Sequence, residues 1–202
     1  MQEDEEMKII IYVIILVFLQ SCSSANSYGK QMEQIKDTGI DRFAPKYKRS
    51  SWKHWIDEDR NCLDTRHDIL KKRSERDVII SKRGKKCYVK TGLWSDYYYP
   101  EKLTTAKEVD IDHLIPLKHA HDIGGWKWDQ NLKKKFANDP ENLVITNKRY
   151  NRIKGAKKIN EWLPLNIEYA CKYYKDWMKI KQKYNLPVSE EESNAVDIGR
   201  CN

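Results

Sequence analysis

With 202 residues, the chain has room for one domain with a real core plus a tail or two, and hardly for two full domains. Thirty-eight Lys and Arg against thirty Asp and Glu give a formal net charge of +8, and 34% charged residues with a mean hydropathy of −0.84 exclude a multispan membrane protein. What remains is one basic, water-surrounded unit.

In chain order, the first feature is Ile9 to Leu19 (IIIYVIILVFL), an unbroken apolar run of eleven residues. A bilayer span takes about 20 residues and a signal-peptide core roughly 7 to 15, so this run predicts export. The stretch before it, MQEDEE, is acidic, whereas a start at Met7 places Met-Lys directly ahead of the run; Met7 is therefore read as the initiator. The run closes on Leu19-Gln20-Ser21-Cys22, which resembles the lipobox of bacterial lipoproteins, and that implies acylation of Cys22 and a membrane anchor. The alternative is ordinary signal-peptidase cleavage nearby, leaving Cys22 an odd thiol and the protein secreted. The expected organisation is a signal peptide with lipobox at 1–22, a flexible polar tether at 23–46 and one folded domain at 47–202, sited outside the cytosol at the cell envelope or surface. Loss of residues 1–21 removes one Lys and four acids, which raises the net charge by three to +11. Such an excess attracts polyanions, nucleic acid foremost.

Cys62, Cys87, Cys171 and Cys201 are an even number in an oxidising compartment, so two disulfides are expected. Three connectivities are open; Cys62–Cys87 and Cys171–Cys201 are preferred because they close local loops. No CxxC or CxxH pair points to zinc.

Trp52 and Trp55 are the first core anchors, and Asp64 or Thr65 is placed to cap a short helix carrying Ile69 and Leu70. Val78 to Ile80 and Cys87 to Val89 predict strands around a turn at Lys82 to Lys86. Trp94 to Tyr99 is aromatic, and with Trp126 and Trp128 it is assigned to the core in preference to base stacking. Val109 and Ile111 alternate with Asp110 and Asp112, which predicts a strand running into Asp112 and stopped by Pro116. A long loop or loose helices are expected over 117–138, with His119 and His121 exposed or packed on loops. Leu143 to Ile145 predicts a second strand. From Asn147 the pattern turns helical, placing Asn147, Asn151 and Lys154 on one face up to Gly155. A last helix, Asn166 to Tyr184, carries Ile167, Ala170, Tyr174, Trp177 and Met178 as its apolar stripe.

Three segments in this order carry the chemistry: DHLIP at 112–116, ENLVIT at 141–146 and NRIK at 151–154. Twenty-eight residues separate His113 from Asn142, and eight separate Asn142 from Asn151. The set resembles the HNH endonuclease family and its ββα-metal module, with Asn standing for the last His. CLDTR (62–66), DIDHLIPL (110–117), FANDPENL (136–143) and EWLP (161–164) extend the likeness to small exported HNH proteins related to the C-terminal domain of GmrSD restriction enzymes. The resemblance implies an α+β fold with a ββα-metal core, added N-terminal strands and a C-terminal helix. It also implies hydrolysis of phosphodiester bonds, DNA foremost, to 5′-phosphate and 3′-hydroxyl ends.

Phosphodiester hydrolysis needs a base for water and a cation for the phosphate. His113 titrates near neutrality and fits the base. Asp112 and Asn151 offer hard oxygens suited to Mg²⁺ or Mn²⁺. Asn142, by resemblance, ties down the loop that holds His113, and Asp110 supports from the same strand face as Asp112. Lys154, Arg152 and Arg66 are candidate phosphate contacts, with an internal salt bridge an equal competitor for Arg66. Since a straight strand aims Asp112 and His113 to opposite sides, this reading requires the backbone to turn around the pair. The rival from another class is a surface lipoprotein that binds DNA or another polyanion without cutting it.

Overall fold

The computed structural model describes residues 40–196. The expected signal peptide, the Cys22 lipobox, most of the tether and Cys201, with its expected bond to Cys171, lie outside the described residues. Ordered contacts begin ahead of Tyr47: the Asp41 amide donates to Asp122 O at 2.7 Å, and His121 Nε2 meets Pro45 O at 2.7 Å. Among the described residues no helix is long and apolar enough to cross a membrane.

Helix α1 (Thr65–Lys72) starts where Asp64 accepts from the His67 amide, as a short acceptor ahead of Ile69 and Leu70 predicts. Three antiparallel strands follow, β1 (Ile79–Arg83), β2 (Lys86–Ser95) and β3 (Lys102–Thr105), in the order β1-β2-β3. The β1–β2 turn is tight because Gly84 takes φ +61°, a left-handed conformation that costs glycine little. Cys62 and Cys87 form a disulfide with 5.1 Å between Cα atoms, fastening the loop before α1 to the first turn of β2.

Strand β4 (Val109–His113) pairs antiparallel with β5 (Leu143–Asn147), from Val109 opposite Asn147 to His113 opposite Leu143. Between them, the segment expected to be a long loop or loose helices holds α2 (Leu117–Asp122) and α3 (Gln130–Asn138). Helix α4 (Lys148–Lys154) leaves β5 directly, capped by the Asn147 side chain and ended by Gly155 at φ +56°. Period-two alternation sorts the hairpin. Val109, Ile111, Leu143 and Ile145 enter a core shared with Ile69, Leu70, Val89 and Trp94, while Val144 belongs to a second core with Leu114, Ile115, Phe136, Tyr173 and Trp177.

Helix α5 (Ile167–Lys183) has caps at Asn166 and Tyr184, matching the bounds read from the sequence. Its buried face is offset from the expected stripe: Tyr169, Tyr173, Trp177 and Ile180 are enclosed, whereas Tyr174 and Met178 only flank the core. Phenols with good apolar rings took positions that an aliphatic count assigns to the surface.

A short helix α6 (Glu190–Ser193) closes the described chain with a capping box between Ser189 and Glu192. Glu192 also reaches inward, meeting Lys181 Nζ at 2.5 Å and His119 Nε2 at 3.0 Å. His119 and His121 are therefore buried on α2, not exposed, and His119 stacks on Trp177. Burial opposes ionisation of Glu192, but the bond from His119 and the Lys181 charge together bring its pKa down to about 2 from 4.5. Glu192 thus adds stability that is complete above pH 4.5 and fades as pH falls towards 2. Glu192→Gln is expected to flatten the stability profile across that window and to lower the melting temperature at neutral pH; thermal unfolding of both proteins over a pH series measures each effect.

Candidate active site

Strand β4 runs straight through His113, and the Leu114 amide continues the ladder to Asn142 O at 2.8 Å. The turn around Asp112 and His113 that the sequence reading required is absent. A pleated strand alternates its side chains, so Asp110 and Asp112 face α4 while His113 faces away from it.

On the α4 side the pairing is one to one. Asn151 and Lys154, one helical turn apart, meet Asp110 and Asp112 respectively. Asn151 Nδ2 donates to Asp110 Oδ2 at 3.0 Å, leaving the Asn151 amide oxygen for another partner. Lys154 Nζ lies 2.6 Å from Asp112 Oδ2 and donates to His113 O at 2.9 Å, and its side chain has no exposed surface. The Tyr98 hydroxyl donates to the same Asp112 oxygen at 2.6 Å, so both contacts fall on Oδ2. Burial and the neighbouring Asp112 carboxylate push the Tyr98 phenol well above its usual range, which keeps it a donor. The expected phosphate contact at Lys154 is thereby corrected: its ammonium is spent inside the protein because an enclosed carboxylate and a carbonyl need a cation there. The carboxylate that Asn151 meets directly is Asp110, while Asp112, the other expected metal ligand, meets Lys154 and Tyr98.

Arg66 donates from Nη2 to Ala106 O at 2.9 Å and to Val109 O at 2.8 Å, and it feels the charges of Asp110 and Asp64. It braces the entry to β4 by carbonyl bonds, neither the free clamp nor the salt bridge weighed from sequence. Arg152 lines a shallow exposed groove beside α4 with Lys107, Lys148 and Arg149.

On the opposite face His113 is nearly enclosed, with its ring stacked against Trp55 at 5.7 Å between centroids and 29° between planes. Its Nε2 sits 2.8 Å from Ala137 O. A carbonyl only accepts, so Nε2 carries the hydrogen and Nδ1 keeps a lone pair. Trp52 Nε1, His121 Nδ1 and Thr146 Oγ1 are the enclosed side-chain atoms without a partner among the described residues. Among the described residues no hydrogen bond is made to His113 Nδ1, which is thereby left with a lone pair at a site that is nearly enclosed. Burial, then the charges of Arg49, His54 and Lys154, hold the imidazole at about pKa 3 against the pull of the Ala137 carbonyl, well below the near-neutral titration expected from the sequence.

Asn142 has no exposed surface; its Oδ1 accepts from the Ile115 amide at 2.9 Å and its Nδ2 approaches Ile115 O at 3.4 Å. With the Leu114 amide on Asn142 O, this amide fastens both sides of the chain immediately after His113. Tyr98, Trp52 and Trp55 are legible in the sequence only as core aromatics, and Arg49 and His54 not at all; their place beside β4 is hidden because the contacts span tens of residues and no local spacing encodes them. Asp110 was visible through its alternation with Asp112, but its pairing with Asn151 was not.

Lys154→Met keeps the stem and removes the charge, which leaves Asp112 enclosed without a cation and is expected to cost roughly 3–5 kcal/mol. Adding Asp112→Leu should restore much of the loss, and urea denaturation of the two single variants and the double variant gives the coupling.

Residues 64–196 match the family described as GmrSD restriction endonucleases, C-terminal domain. The chain is also similar to an uncharacterized secreted protein of Arthroderma benhamiae, at 32% identity over 152 residues that cover 74% of this chain and 72% of the relative. No solved structure matches. The family match takes in β4, β5, α4 and every polar group paired across them, and on that ground the chain belongs to the family of C-terminal domains of GmrSD restriction endonucleases.

Proposed function

We propose that the chain is a metal-dependent endonuclease of the HNH type that hydrolyses phosphodiester bonds, chiefly of DNA and with little sequence preference, outside the cytoplasm. One observation carries this reading: His113 is held by the Ala137 carbonyl as the tautomer whose Nδ1 is unprotonated, while Asn142 fixes the backbone beside it. A water at Nδ1 gives its proton to that nitrogen as its oxygen attacks phosphorus; the bond to the 3′ oxygen breaks, and that oxygen takes a proton from solvent. The strand–strand–helix order of β4, β5 and α4 supports assignment of a ββα-metal core.

Among the described residues no group of three His, Cys, Asp or Glu is placed to hold an ion. Mg²⁺ or Mn²⁺ asks less of a protein, because it keeps waters and borrows phosphate oxygens, and one or two carboxylates with an amide suffice. Asp110, the Asn151 amide oxygen and Asp112 Oδ1, the oxygen on which neither Lys154 nor Tyr98 falls, are the hard donors that would hold such an ion. When bound, it supplies a Lewis acid that offsets charge on the phosphate and the leaving oxygen. The groove of Lys107, Lys148, Arg149 and Arg152 supports contact with a phosphate backbone, which carries no base information. The Cys62–Cys87 disulfide and the secreted description of the relative support export; lipidation at Cys22 is the proposed means of anchoring.

The enclosure of Asp112 by Lys154 and Tyr98 favours a second reading, in which the domain holds polyanions without cutting them. Purified protein incubated with supercoiled plasmid and Mg²⁺ or Mn²⁺ decides between the two. Nicking abolished by EDTA is expected; retention of plasmid in EDTA with no nicking in either metal supports the second reading. His113→Ala is expected to lose a factor on the order of 10² to 10⁴ in rate. Asp110→Asn should lose at least as much in a metal titration at constant melting temperature, whereas Asp112→Asn should lose stability too. With His113 held at about 3, its deprotonation should produce no inflection in kcat/KM between pH 5 and 8, which a plasmid-nicking pH series measures.

A further inference from the structure

Residues 49–55 precede the family-matched part of the chain, which starts at Asp64, yet they cover the face of β4 that carries His113. Trp52 anchors this strap. It is fully buried in the core against Trp128 and Phe136, and its ring lies so close to Gly125 that an added Cβ there would come within 3.1 Å of it. From that anchor the chain turns through Trp55 at φ +56°, a left-handed conformation unusual for a bulky side chain and more often kept at functional sites. The turn lays the Trp55 ring on the His113 ring and brings the His54 ring to 6.2 Å from it.

His54 Nδ1 lies 2.8 Å from Trp52 O. As at His113, the carbonyl fixes the tautomer: Nδ1 donates, and Nε2 keeps its lone pair. Arg49 Nη2 approaches that Nε2 at 3.5 Å, the outer limit of a hydrogen bond, and the guanidinium also lies by the Tyr47 hydroxyl. Neither contact neutralises the arginine, and three other N–H donors remain on its planar fork. Arg49 is exposed, yet its charge acts on His113. A carbonyl thus orients a neutral imidazole, that imidazole meets the Arg49 guanidinium, and its ring stands edge-on to the ring of the candidate base.

We infer that this strap is a phosphate-binding arm of the active site: Arg49 takes the non-bridging oxygens of the scissile phosphodiester, and His54 is the positioning residue that orients Arg49. The inference rests on the nuclease reading, and it assigns the substrate-gripping group on the His113 face, where Lys154 and Arg66 are turned inward. A bidentate arginine–phosphate contact suits this geometry, because the diester must be held across from Nδ1 with room for one water.

The test is plasmid nicking by the full exported protein in Mg²⁺ or Mn²⁺, comparing wild type with Arg49→Ala, Arg49→Lys and His54→Phe. Arg49→Ala is expected to lower kcat/KM by about tenfold to a hundredfold, the range of one charge-assisted contact, with an unchanged melting temperature. Free guanidinium ion at tens of millimolar should restore part of the activity to Arg49→Ala and none to His113→Ala, a response that a role in packing would not give. Arg49→Lys should recover only part, since an ammonium lacks the fork. His54→Phe should lose less than Arg49→Ala, and the double variant should match Arg49→Ala alone, because His54 acts through Arg49. A wild type that nicks normally alongside an Arg49→Ala protein within twofold of it, or one blind to guanidinium, overturns the arm and leaves the nuclease reading standing. A wild type that cuts nothing in any divalent metal overturns both.

Discussion

The buried ammonium of Lys154 is the constraint on which the site depends. It bridges Asp112 Oδ2 and His113 O, and so joins α4 to the last two residues of β4 with one charge. An enclosed lysine without such partners would lose its proton or unfold its surroundings; here a carboxylate, a phenol and a carbonyl converge to make the charge acceptable. The helix is thereby fixed in register on the hairpin, and Asn151, one turn back, has no choice but to fall beside Asp110.

That registration separates the chemistry into two faces. Acidic oxygens and the amide of Asn151 lie under α4, whereas the imidazole lies across the strand under a strap from the N-terminal side. A substrate serviced by both must therefore lie around the C-terminal end of β4, where the chain turns at Leu114 and Asn142 locks the turn. The Asn142 amide acts only on backbone, so in the proposed reaction an uncharged residue with no exposed surface would act without touching the substrate.

Much of this was legible in the sequence because it is local. Helix α5 announced both its ends through Asn166 and Tyr184, and the hairpin turn, the cap at Asp64 and the break at Gly155 follow from single residues with strong conformational preferences. The order of DHLIP, ENLVIT and NRIK carried the family. What stayed hidden depends on which of two similar groups wins a partner. Alternation alone made Asp110 and Asp112 equivalent, and only the rotation of α4 assigns Lys154 to one and Asn151 to the other. A lysine on a polar helix gives no sign of being enclosed until the Tyr98 ring is seen beside its ammonium. Nor does spacing reveal that Trp55, nearly sixty residues upstream, would lie flat on His113.

The Lys181–Glu192–His119 cluster has a consequence for how the polypeptide must be made. Its only carboxylate arrives near the end of the described chain, after both α2 and α5. A product of premature termination at Leu186, or one trimmed there by a protease, would keep two basic side chains in an apolar interior with nothing to balance them. The last short helix is thus a counter-ion for the interior, and losing it would leave the core short of one negative charge.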